Sequence, residues 1–577
     1  MTGCHTKSVV HQKFFPNKLA IIDFSGDCMR RFLTALVLAS VLVTTLPATY
    51  AQHATRRTSK PVVSVTAQRG VDTISADQMK DYLTFIASDE MEGRDTPSRG
   101  LDTTAKFLAM NLTRWGFKPA GDDGTFFQRI ELSRNRADSG QSKVELNGRT
   151  LTLGTDFLPV GGWGNVSGQL VFAGSGWFVK SKEVDAYKGV DPRGRIAVIV
   201  GPPNVPPRGV SRAEYGKYGE DSMSPTDYAR SKGVVGLIYV ADSQYVANWQ
   251  RARQRMERGS TVVVKFQPPQ PAPVLPSIVI TPEAATPLLA GEAKSISEAT
   301  PPPPFLLNDQ KKVSMNIANN NQIIPTQNVV AVWEGSDPTL KAEYVALGAH
   351  YDHVGSGCPP NGTDSICNGA DDDGSGTTAL LAMAEALAKA PKRPKRSVLF
   401  VWHCGEEKGL WGSRYFTEYP TVPLNQVVAQ INIDMIGRSK KAGDTNSRNS
   451  ELTGPDAVYL IGSTMMSTEL GELVNKVNNS YLKITYNTKY DDPKDPNRFF
   501  FRSDHYNYAR KGIPIIFFFD GVHEDYHRAG DTADKIDYQK MEKITRTVYM
   551  TLWEIGNRPA RLKVDKPLPT QISGSTD

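Results

Sequence analysis

From residue 328 onward, nearly continuous apolar runs alternate with helical patterns. Residues 328–333, 344–348, 397–402, 427–433 and 514–519 are β-branched or aromatic and almost wholly apolar, as strands buried on both faces are. Between the second and third lies TTALLAMAEALAKA, residues 377–390, whose Ala and Leu content predicts a helix. Strands alternating with helices predict an α/β fold, a mixed, mostly parallel sheet sandwiched by helices. In such sheets sites form at the carboxyl ends of strands.

The first half reads differently. Helical patterns occupy 75–87 and 101–115. Short β-type runs (GQLVFAG, RIAVIVG) punctuated by Gly follow from 151 to about 200, which predicts a mainly-β segment. A Pro-, Gly- and charge-rich stretch covers 202–224. A helix-like segment at 225–232 then leads into the strand-like GVVGLIYVAD. Residues 267–277 and 301–304 are Pro-rich loops or boundaries. No internal repeat stands out.

At the N-terminus, Met29-Arg30-Arg31 precedes an apolar run to Val43 and a small-residue stretch ending at Ala51. This pattern reads as a secretory signal at 29–51. The run is short for a membrane span, and an uncleaved anchor is the alternative. Residues 1–28 form a doubtful extension ahead of it, and 52–70 a flexible leader. The protein is therefore expected to be exported, to the periplasm or beyond, with no stable membrane span after cleavage. A flexible tail is expected at 559–577.

Length and composition narrow this further. A chain of 577 residues exceeds one hydrophobic core, so two or three domains are expected. The 67 basic and 61 acidic residues are interspersed, giving +6, without the concentrated basic face of a nucleic-acid binder. Five cysteines exclude a disulfide scaffold. Cys358 and Cys367 share one polar loop and are expected to pair in an oxidising compartment.

The chemistry collects at the predicted strand ends. Six of the nine histidines lie between His350 and His527. One strand runs into His350-Tyr351-Asp352, and Asp371-Asp372-Asp373 sit in the turn that opens the long helix. Another strand runs into Glu406-Glu407, a third into Asp434, and His527 follows Asp525-Tyr526. That many acids in one place repel each other, and one or two divalent cations would neutralise them. Mixed imidazole and carboxylate donors suit zinc.

The stretches GAHYDHVG, GADDDGSG, HCGEEKGLWGS, INIDMIG, RSDHYNYARKGIP and DYHRAGDTADKID resemble the co-catalytic di-zinc aminopeptidases. LTFIASDEMEGRDTPSRG resembles the start of such peptidases, and the middle of the chain resembles an inserted protease-associated domain. The resemblance implies peptidase parts at 71–155 and 320–558 around an insert at 156–305. It implies two zinc ions per chain that activate a water. His350 and Asp434 would hold one, Glu407 and His527 the other, and Asp372 would bridge them, followed by a cis peptide. Among the three aspartates Asp372 is the choice that spacing favours. Glu406 would be the general base, Asp352 would orient His350, and Tyr526 would stabilise the oxyanion. Substrates would be peptides with a free N-terminus; partners of the insert are not indicated.

Other readings of the same fold are a carboxypeptidase or dipeptidase, with Arg438 or Arg502 holding a carboxylate, a one-zinc glutaminyl cyclase, or an inactive interaction protein. His353 and His403 match no ligand position and read as structural, and His523 as lining the site. Asp504-His505 read as indirect support. Phe500, Phe501 and residues 517–519 read as core.

Overall fold

The computed structural model describes residues 65–203, 205–207, 209–268, 275–292 and 302–570. The expected signal, the extension before it and residues 52–64 of the leader lie outside these residues, while 65–70 belong to a helix, Val65–Val71.

Why the helix after Ser75 starts where it does is plain from sequence. The Ser75 side chain accepts from Gln78 N–H while the Gln78 side chain reaches back to Ser75, a capping box that opens the Ala76–Ile86 helix. The helix over Gly376–Lys389 is buried along almost its whole length, so its Ala and Leu content gives both propensity and close packing.

Among the described residues, ten strands form the largest sheet. Its centre is four parallel neighbours: Ser397–His403, Tyr344–His350, Val427–Ile433 and Ile515–Phe519. Antiparallel strands flank them, with Asn319–Trp333 and Phe127–Ala137 on one side and Ala457–Ile461 on the other. One face packs on the helices Ala76–Ile86, Arg99–Arg114, Gly376–Lys389, Thr468–Ser480 and Tyr538–Asn557. The other face carries a second apolar cluster that includes Phe416 and Tyr508. The mixed α/β architecture expected from the alternating pattern is the one observed.

A further apolar core lies apart from the large sheet. A six-stranded sheet from Phe157–Gly161 to Phe305–Leu306 shares one core with a four-stranded sheet of Lys143–Leu146, Arg149–Leu151, Gly164–Gly168 and Val313–Ile317. The strands around this core lie between residues 143 and 317. The six-stranded sheet is mixed. Leu170–Phe172, Ile196–Val200, Gly236–Val240 and Ser277–Ile280 run parallel, and parallel strands need crossovers, here with helices. From the same stretch of chain, Ser260–Val263 pairs with Phe127–Ala137 in the large sheet.

The expected flexible tail is corrected too. Over 559–570 the chain packs: Leu562 is buried, Arg561 pairs with Glu343 at 2.7 Å, and Asp565 N–H donates to Met466 O. Cys358 and Cys367 are joined by a disulfide, while Cys404 is free and buried. Among the described residues no helix is long and apolar enough to cross a membrane.

Candidate metal centre

The four parallel strands end together, and their carboxyl ends deliver the acids and imidazoles. His350 is the last residue of its strand, Glu406 and Glu407 follow Ser397–His403, and Asp434 follows Val427–Ile433. His527 comes from the loop beyond Ile515–Phe519. Asp372 comes from the turn ahead of Gly376–Lys389.

Three consecutive aspartates do three different jobs. Asp373 accepts from His350, Gly376 and Met435 N–H, so it braces the strand ends. Asp371 accepts from Gly437 N–H at 2.6 Å and lies 3.3 Å from His523 Nε2. Asp372 alone of the three faces the other donors, and its peptide bond to Asp373 is cis. Asp531 supports the turn from behind, accepting from Asp371 and Asp372 N–H.

Two donor groups result, and Asp372 belongs to both: His350, Asp372 and Asp434, and His353, Asp372, Glu407 and His527. His350 Nε2 is 3.3 Å from Asp372 Oδ1 and 3.5 Å from Asp434 Oδ1. His527 Nε2 is 3.1 Å from both Asp372 Oδ2 and Glu407 Oε2. His353 Nδ1 is 2.9 Å from Glu407 Oε1 and 3.6 Å from Asp372 Oδ2. These spacings suit a metal: a tetrahedron with bonds of about 2.0–2.1 Å has edges of about 3.3–3.5 Å. His350 Nε2, His353 Nδ1, Asp372 Oδ2, Glu407 Oε1 and His527 Nε2 are all buried and make no hydrogen bond. Buried polar atoms in that state are rare unless something else satisfies them. The donor set therefore fits a pair of divalent cations.

His353 is a correction. Read from sequence as structural, it stands in the second donor group. His403 is structural as expected, 3.0 Å from the Tyr508 hydroxyl and 3.2 Å from Asp504. His523 does not line the site but backs Asp371. Asp352 touches His350 chiefly through its backbone: His350 Nδ1 is 3.2 Å from Asp352 O and 3.7 Å from Oδ1. Its carboxylate instead accepts from Glu406 N–H at 3.2 Å, fixing that residue.

Electrostatics divides the carboxyls. Burial would lift Asp372, but His353, His350 and His527 hold it well below its ordinary value. Burial and Asp372 would likewise lift Glu407, yet His353 and His527 bring it to about 2. Glu406 goes the other way. Burial pushes it well up, His350 opposes, and the Glu407, Asp434 and Asp504 charges add to the rise. Glu406 is in neither donor group, and its carboxylate stands 4.0 Å from His350 Nε2.

Beside these residues opens a small pocket. Asp372, Glu406, Asp434 and Tyr526 form its polar wall, and Met435, Phe499, Phe517, Phe519 and Val522 its apolar one. This corrects the reading of residues 517–519 as core alone. Side chains alternate along a strand: Phe517 and Phe519 face the pocket side, and Phe518 packs into the opposite core. Tyr526 stacks on His527 with ring centroids 3.9 Å apart. Burial, then Asp372, Glu407 and Glu406, push its hydroxyl far up, so it stays a proton donor. Met435 and His527 hold left-handed backbone (φ 60° and 54°), a strain that clusters at functional sites.

Sequence reasoning missed Arg94. It is fully buried and donates to the carbonyls of Ile86, Tyr351, Asn368 and Gly369, lacing the site's two flanking loops to the end of the Ala76–Ile86 helix.

Residues 328–552 match the profile of peptidase family M28. The matched region covers every donor above, from His350 to His527. The chain is 26% identical over 249 residues to leucine aminopeptidase 2 of Arthroderma otae, covering 39% of this chain and 44% of the relative. It is 28% identical over 209 residues to leupeptin-inactivating enzyme 1 of Streptomyces exfoliatus, covering 36% and 38%. The chain thus spans about half or less of these relatives' length. An aminopeptidase from an Aneurinibacillus species superposes over 87% of this chain and 98% of its own, at 16% identity and a TM-score of 0.47.

Proposed function

We propose that this protein is an exported, zinc-dependent aminopeptidase that removes N-terminal residues from peptides. The observation that carries this reading is the pair of donor groups sharing Asp372, with Glu406 beside them but in neither. His350 and Asp434 would hold one zinc, Glu407, His527 and His353 the other, and Asp372 both. When bound, such ions polarise a carbonyl and make water acidic.

The chain's own residues do the rest. Glu406 is held by its N–H on Asp352 and by a site that favours its protonated form. Once ionised beside bound cations, its raised proton affinity suits it to take a proton from water and pass it to the leaving amine. Tyr526 donates toward the oxygen on which charge develops. The Phe499, Phe517 and Phe519 wall takes an apolar side chain of the N-terminal residue. The insert resembles a protease-associated domain and would border the approach of substrate.

A carboxypeptidase reading needs a cation for the substrate carboxylate. Arg438 is committed elsewhere, 2.8 Å from Asp525 and 3.4 Å from Asp531. Arg502 remains, exposed at the pocket.

The test is hydrolysis by the purified protein of aminoacyl anilides, their N-acetyl forms and free dipeptides, with and without chelator. Expected is cleavage of free-amine anilides only, abolished by chelator. Glu406→Gln should lower kcat by about 10²–10⁴-fold while keeping about two zincs. Cleavage of N-acetyl peptides at a free C-terminus would replace this reading with the carboxypeptidase.

A further inference from the structure

Away from the metal-type donors, a concentration of positive charge among the described residues has no ion-paired acid of its own. Arg134 and Arg136 lie two apart on Phe127–Ala137 and so share a face of that strand. Arg258 closes the Trp249–Arg258 helix, and Gly259 follows at φ 78°. A Cβ on Gly259 would come within 2.4 Å of Asn135 O and 2.6 Å of Arg136 Cγ. Its absence seats the helix end, and Arg258 with it, against that strand face.

The three arginines, with Gln254, Glu257 and Gly357, wall an open pocket of about 490 Å³. Among the described residues none of the three forms a salt bridge. The nearby acids are occupied: Glu257 pairs with Arg253 at 2.8 Å and Asp95 with Lys408 at 2.7 Å. Partial burial, then the Arg136 charge, push the Arg134 guanidinium down, and Asp95 only partly offsets them. Like charges gathered in this way are costly unless an anion joins them.

The pocket also borders the active face. Gly357 lies four residues beyond His353, and four extended residues reach at most about 14 Å. Between them Gly355 sits against the Asp95 side chain, whose partner Lys408 follows Glu407. A rim thus runs from the donors to the arginines. A peptide with its N-terminal residue among the donors, continuing extended along that rim, brings its fourth or fifth residue to them.

We propose that Arg134, Arg136 and Arg258 form a carboxylate-binding subsite that grips an acidic side chain, or the free C-terminus, of a peptide substrate about three to five residues from its N-terminus. The guanidinium fork matches a carboxylate with two parallel hydrogen bonds. This rests on the aminopeptidase reading above.

The experiment compares amidated Leu-initiated hexapeptides carrying Glu or Gln at each of positions two to six, with leucine anilide as the baseline. Expected is a KM about three- to tenfold lower for Glu at position four or five, the size of an exposed charge-assisted contact, with kcat unchanged. The gain should vanish at high salt and in R258Q and R134Q/R258Q, while anilide hydrolysis stays the same. R258Q changes only an exposed side chain, so its fold is preserved. Gln tetra- and pentapeptides with a free C-terminus separate the two carboxylate sources, the terminal one giving a gain of its own if it binds. Equal KM for Glu and Gln at every position, or a preference that survives both variants, overturns the subsite and leaves the aminopeptidase standing. No hydrolysis of the anilide overturns both.

Discussion

His353 shows how a residue's role depends on where its ring ends up rather than on its spacing. Its neighbour Asp352 completes the His-x-Asp pattern, so pattern matching stops there. Yet both nitrogens of the buried His353 ring lack a hydrogen bond, and Nδ1 lies 2.9 Å from Glu407. A ring packed only for support would have a partner. If His353 is a donor or directly steers Glu407, then His353→Gln should weaken metal binding about 10–100-fold. Competition with a zinc chelator measures this, and excess zinc should restore turnover. An unchanged affinity with a lowered melting temperature would return the residue to a structural role. His350, Glu406, Glu407 and Asp434 stood out in sequence because each follows or ends an unmistakable apolar run. For the aspartate of three that faces the site, sequence offered only the spacing that favours Asp372, since a turn sends consecutive side chains in unrelated directions. Arg94 was hidden because its four acceptors are carbonyls, which leave no mark in side-chain composition.

At the scale of elements, the Ile515–Phe519 strand does two jobs through alternation alone. Phe518→Ala removes a side chain from the core on the helix side and should cost about 3–5 kcal/mol, read by denaturant unfolding, with little change in substrate preference. Phe517→Ala enlarges the pocket side. It should raise KM for leucine anilide more than for phenylalanine anilide, because the larger ring refills the space. Equal shifts for the two substrates would remove Phe517 from the specificity wall. The central strands were legible to within a residue or two for the same reason, burial on both faces. Asn319–Trp333 was not: it begins nine residues before the predicted 328, and residues 319–323 are all exposed. A polar strand paired outside the buried part of a sheet carries no apolar signal. Ser260–Val263, four residues on a sheet edge, escapes notice likewise.

For the molecule as a whole, the concentration of acids at one sheet edge sets the balance between metal, protons and stability. Acid removes zinc by protonating its imidazole donors, which would mask every other pH effect. The intrinsic response of the fold is therefore best read on metal-free protein, and His505 dominates one window of it. Its ring is fully buried, stacked on Phe517 with centroids 4.6 Å apart, with Nε2 2.8 Å from Phe500 O. Burial lowers it to about 4, against the smaller pull of the Phe500 carbonyl and Asp504. In the unfolded chain it titrates near about 6.5. Between these values the unfolded state binds the extra proton and the folded state does not, so stability rises with pH across the window. The contribution is whole above about 6.5 and is lost as pH falls through 4, a loss of about 3 kcal/mol for a fully buried group. His505→Gln keeps a donor for Phe500 O and removes the titration. Unfolding of the metal-free variant by denaturant should thus show a fall between pH 7 and pH 4 that is smaller by about that amount than in the parent. Parallel curves for variant and parent would mean that His505 titrates alike in the folded and unfolded states, and that the acid sensitivity of the fold belongs to the carboxylates around Asp372 instead.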